Sequence, residues 1–174
     1  MVALFATTAA LPLLSSAHRE GALAKEHARY GRPLAFGAGL ACGLAFPWCR
    51  EVLGIFGPEF TAAAGAMRWM LLSCVAIHFG ALQMTSLVAC GRTELVLRVA
   101  AAALAVDLGL NLWLLPTHGI EGAAVARACT ELLVAGWARL ALTRCGVPLR
   151  AAPALACLAG TALLFLLGAT ISSH

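Results

Sequence analysis

Polar residues are scarce along this chain, and where they cluster they divide it into apolar stretches of helical length. The sharpest division lies within Leu104 to Val134. An apolar run there ends in Leu-Leu-Pro116, the polar turn Thr117-His118-Gly119 follows, and a second run opens with Glu121 and the small residues Gly122-Ala123-Ala124. Proline and glycine together stop one helix and start the next. The pattern predicts a helical hairpin whose second arm is narrow enough for another helix to approach its backbone closely, which suits packing in lipid.

Read the same way, the rest of the chain yields about six spans. Residues 1–16 are apolar but short and form a partial span; as a signal peptide they lack the basic start. Residues 17–32 carry Arg19, Lys25, Arg29 and Arg32 among helix formers, a basic segment at the membrane surface, either an amphipathic helix or a solvated loop. Further spans follow over about 33–56, kinked at Pro47, then 60–90, 94–115, 120–144 and the uncharged 151–171. The expected fold is therefore all-α, a polytopic transmembrane helix bundle in a single lobe covering residues 1–174.

Composition agrees with this division. Aliphatic, aromatic and cysteine residues make up 61% of the 174 residues and charged residues 11%, against about 25% charged in ordinary soluble domains. Few aromatics and 17 glycines suit thin, close-packed helices rather than a barrel of alternating strands. The seven cysteines form no Cys-x-x-Cys pair and read as small buried hydrophobes, so neither a metal nor a cofactor is expected. A net charge of +4 without interleaved aromatics gives no reason to expect nucleic acid.

The few charges inside the apolar runs are the candidate chemistry. Asp107 lies about ten residues before the hairpin turn and Arg127 about ten after it, so both fall ~15 Å below one surface. Asn111 is four residues from Asp107, and Glu131 four from Arg127, each pair on one helical face. Arg68, about ten residues past the Gly57-Pro58 turn, reaches a similar depth. Charges there cost about 2.5–3.5 kcal/mol each unless they pair or line a wet cavity. The expectation is one polar layer of Arg68, Asp107, Asn111, Arg127 and Glu131, in which Asp107 faces Arg127. Such a layer either binds a ligand or simply holds the hairpin together. His78, alone on its face, is a packing residue or a proton carrier. An enzyme is not expected: no Ser and His share a face and no His-Glu-x-x-His motif occurs.

Three stretches carry a resemblance. GIFGPEF at 54–60, the turn from Leu87 to Arg92, and LNLWLLPTHGIEGAAVA at 110–126 together resemble the C-terminal half of bacterial polysaccharide-export flippases of the multidrug/oligosaccharidyl-lipid/polysaccharide exporter superfamily. The likeness runs through residues 1 to about 145. It implies one lobe of a two-lobe, alternating-access exporter in the bacterial cytoplasmic membrane, whose N-terminal lobe is missing here. The implied substrate is a polyprenyl-diphosphate-linked oligosaccharide or polysaccharide precursor. Arg127 departs from the family pattern, which has a small or hydroxyl residue there, so its role is not borrowed; Thr130-Glu131 fits. The alternatives are a cation-coupled multidrug antiporter of the same superfamily, with Asp107 or Glu131 as the cation site, and a non-transporting remnant or assembly partner.

Loop charges orient the bundle. Nine of the twelve Lys and Arg residues, at 19, 25, 29, 32, 92, 98, 139, 144 and 150, fall in or beside alternate connections. The Gly57 and Pro116 turns carry none, which places the basic connections in the cytoplasm. Single cysteines at Glu59 and His118 of a cysteine-free version should then react with an impermeant thiol reagent on intact cells, and one at Ala22 should not. Labelling at Ala22 with protection of the other two would invert the topology.

Overall fold

The computed structural model describes residues 2–147, and every regular element among them is helical. The elements are α1 (Val2–Arg19), α2 (Leu23–Ala45), α3 (Cys49–Gly54), a 3₁₀ turn (Pro58–Ala63), α4 (Ala64–Ala89) and α5 (Thr93–Arg144). Two segments are long and apolar enough to cross a membrane, Pro58–Ala89 and Thr93–Arg144. The expected span over 151–171 lies outside the described residues.

α5 is not one rod. Fifty-two residues of straight helix would extend ~78 Å, but Gly119 takes φ 57°, ψ −139° and breaks it. The chain reverses there: a Cβ at Gly122 would fall on the Leu114 carbonyl oxygen and 2.8 Å from its carbon. Two arms, 93–118 and 120–144, therefore pack as a hairpin. The reversal sits closer to one residue than the Pro116–Gly119 turn read from the sequence. Pro116 is still inside the first arm, because a proline in a last helical turn forgoes only one backbone bond. The Thr117 hydroxyl bonds back to the carbonyls of Trp113 and Leu114, at 3.3 and 3.2 Å.

The second arm is buried on two faces. Gly122, Ala126 and Thr130 form one stripe at four-residue spacing, headed by the contact with Leu114. Ala124, Ala128, Ala138 and Leu142 form the other, toward α4. Gly65 of α4 lies against the Glu121 carboxylate and Gly80 against Val134 and Ala135, so α4 and the second arm run parallel in constant register. Buried residues of α4, from Ala66 to Leu87, cover more than half of its circumference. α4 is the central helix, and α1, α2, α3 and α5 all pack on it.

Helix ends explain two departures from the sequence reading. Residues 17–32 are not one surface element: α1 runs to Arg19, Gly21 turns at φ 71°, and α2 carries Arg29 and Arg32. The Ala22 N–H donates to the Ala17 carbonyl at 2.8 Å, the backbone bond that closes a helix around a left-handed glycine. The same bond recurs from Arg92 to Leu87 around Gly91 and from Val147 to Leu142 around Gly146. The 33–56 stretch is likewise divided at Phe46-Pro47-Trp48, since proline within a helix removes a donor and crowds the preceding turn.

Gly122→Ala is expected to lower stability by roughly 1–3 kcal/mol, because no Cβ fits against the Leu114 carbonyl. Gly109→Ala, in open space on the first arm, should be neutral or raise stability by up to about 1 kcal/mol. Thermal unfolding of both variants in one detergent checks the contrast, and equal responses would refute the close approach.

Candidate functional site

Mid-hairpin, the structure sets Arg127, Glu131, Asp107 and Asn111 within two neighbouring arms. Arg127 forms an ion pair with Glu131, one turn along its own helix. Its side chain is 46% exposed and that of Glu131 13%, so the pair has one wet and one buried end. Asn111 donates from Nδ2 to the Asp107 backbone carbonyl at 2.8 Å and so bonds back along its own arm rather than reaching across. Asp107 Oδ1 is buried with no hydrogen-bond partner, and its carboxylate is close enough to act on Glu131 as a like charge.

The expected Asp107–Arg127 contact is therefore not made. Depth was read well enough, since a hairpin closing Gly122 on Leu114 brings Asp107 near the level of Arg127. Rotation decided otherwise: positions four apart on one helix meet without any demand on a neighbour, and Glu131 meets that condition. Thr130 beside it is buried, with its hydroxyl donating to the Ala126 carbonyl at 2.9 Å.

Arg68 belongs to a different place. It lies on the opening turns of α4, with its guanidinium 5.5 Å from the Phe46 ring centroid at the end of α2. It also acts on the thiol of Cys49 at the start of α3. Its Nε is buried and has no hydrogen-bond partner. The five-residue layer is thus two arrangements: four residues on the hairpin and Arg68 under the α2–α3 break. The connection 57–63 is 3₁₀ turn rather than the α-helix assumed in counting depth.

A polar group with no counterpart in the sequence reading lies at the basic end. The His27 ring Nδ1, on α2, is 2.8 Å from the Ser86 hydroxyl on α4. Ser86 is fully buried and its hydroxyl donates to the Leu82 carbonyl at 2.9 Å, so Nδ1 carries the proton and His27 donates. Burial holds the imidazole far below its usual range, at about 4, and Arg139 of the second arm lowers it further. One turn before Ser86 on α4, Gln83 is 4% exposed and its Oε1 has no partner. Nearby, Cys90 Sγ lies 3.8 Å from His18 Nδ1, and burial pushes its thiol above the usual value. His27 and Ser86 are 59 residues apart, so no spacing could have announced them. The one signal in the sequence was a histidine and an arginine near basic turns.

His78 donates locally, from Nδ1 to the Cys74 carbonyl one turn back at 2.7 Å. That is the behaviour of a hydrogen-bonded packing residue. No family model, curated protein or solved structure matches the chain.

A double-mutant cycle separates the two mid-hairpin pairings. Arg127→Gln with Glu131→Gln should show a coupling of about 0.5–1 kcal/mol, as for a half-exposed pair at four-residue spacing. Arg127→Gln with Asp107→Asn should couple less than that. The reverse order in chemical unfolding would restore the cross-hairpin pair.

Proposed function

We propose that this chain is one lobe of a multi-pass exporter in the bacterial cytoplasmic membrane, moving a polyprenyl-diphosphate-linked saccharide precursor by alternating access together with a second lobe. The observation that carries the reading is the Gly119 hairpin. The stretch with the most specific family likeness, 110–126, contains both the reversal and the Gly122 contact on Leu114. The same hairpin holds four polar side chains at mid-depth in an otherwise apolar structure. Each arm is about as long as a bilayer is thick, which supports a multi-pass reading.

Arg127 supplies the cation that a diphosphate needs. Its exposed half leaves it reachable, and pairing with Glu131 keeps it tolerable in lipid when no ligand is bound. Asp107 favours a second reading. A buried carboxylate without a partner, acting on a second carboxylate, suits an organic or inorganic cation better than an anion, which is the antiporter alternative.

Photo-crosslinking distinguishes the two. With the chain in lipid nanodiscs, a photoreactive polyprenyl-diphosphate saccharide should label it, and Arg127→Gln should reduce labelling about tenfold, the loss of one charge-assisted contact. No labelling by that probe, together with labelling by a photoreactive organic cation that Asp107→Asn abolishes, would replace the saccharide reading with the antiporter one.

A further inference from the structure

At the basic end, three elements meet on one half-buried imidazole. α2 supplies His27, α4 supplies Ser86, and the second arm of α5 supplies Arg139. On its own helix Glu26 and Arg29 pair with each other at 3.6 Å. The charge that acts on the ring from another element is the Arg139 guanidinium, which lowers its proton affinity.

We propose that His27 is a proton-sensitive latch: neutral, it fastens α2 to α4 through Ser86, and protonated, it releases α2 from that contact. Both charge states keep Nδ1–H, because the Ser86 hydroxyl hydrogen is committed to Leu82. The incoming proton therefore goes to Nε2, creating a cation that is partly desolvated and repelled by the Arg139 guanidinium. Separating α2 from α4 lets water solvate that cation. Proton uptake and opening are thereby linked, each favouring the other.

The sign and size follow from the two affinities. The packed ring binds a proton with a pKa of about 4 and the exposed one near 6.5, so acidification favours separation as pH falls from 6.5 toward 4 and has little effect above that window. Between pH 7.5 and 5.5 the opening equilibrium should rise about tenfold. As a gate at the cytoplasmic end the latch rests on the transporter reading, but its test needs no substrate.

Hydrogen exchange of the full chain in nanodiscs, corrected for intrinsic pH dependence, reads the opening directly. Amides 23–32 should open about tenfold more at pH 5.5 than at pH 7.5, and His27→Gln, which can still donate to Ser86 but cannot charge, should abolish the difference. An unchanged opening in the wild-type chain, or an equal response in His27→Gln, would overturn the proposal. Should that variant not fold, the NMR titration of His27 in the wild-type chain decides instead: a midpoint near 4 supports the latch, and one near 6.5 removes it. Saccharide labelling that fails while the latch titrates as expected would count against the transporter reading alone.

Discussion

Backbone amides and carbonyls have to find partners along the backbone of this chain, because a sequence 61% apolar offers few side chains to take them. Helices meet that demand everywhere except at their ends. At the basic end it is met three times by one device, a left-handed glycine with a backbone bond spanning it, at Gly21, Gly91 and Gly146. These turns set where α1, α4 and the second arm of α5 stop. The apolar cluster of Leu14, Leu23, Leu82, Leu87, Leu142 and Val147 gathers from the helices they close. Packing at this end is a consequence of how the ends are closed.

The opposite end is built differently. Gly119 reverses the chain, and the reversal brings Gly122 into close contact with the Leu114 carbonyl. The Glu121 carboxylate then lies against Gly65 in the first turn of α4. Because α4 and the second arm are parallel, that contact and the one between Gly80 and Val134–Ala135 fix their register along the whole length.

What could be read beforehand depended on whether the information was local. Pro116, Gly119 and Gly122 act within a dozen residues, and the hairpin was legible from them, as was the all-helical fold from apolar runs of helical length. The Gly21 turn was not, since Ala, Glu and Lys on both sides favour helix and only the φ of one glycine separates α1 from α2. Depth was also legible, because helix rise is constant. Azimuth was not: whether Asp107 or Glu131 takes Arg127 depends on how two helices are rotated, and a count of residues contains no rotation. Arg68 failed for a third reason, a 3₁₀ turn and a helix break that carried it to Phe46 instead.

The two polar groups differ in a way that bears on what each can do. Arg127 and Glu131 lie on one rigid helix, so their pairing survives any movement of that helix as a body and cannot report its position. His27 and Ser86 lie on different helices, and their bond exists only while α2 and α4 are in contact. A ligand site benefits from the first property, since its charges arrive already held and soluble in lipid. A sensor of conformation needs the second, because only a contact between moving parts has a different proton affinity in each state. Asp107 stands between these cases: it is on the hairpin, yet its Oδ1 has no partner from either arm. A carboxylate oxygen in that condition lacks the hydrogen bond that would offset its burial.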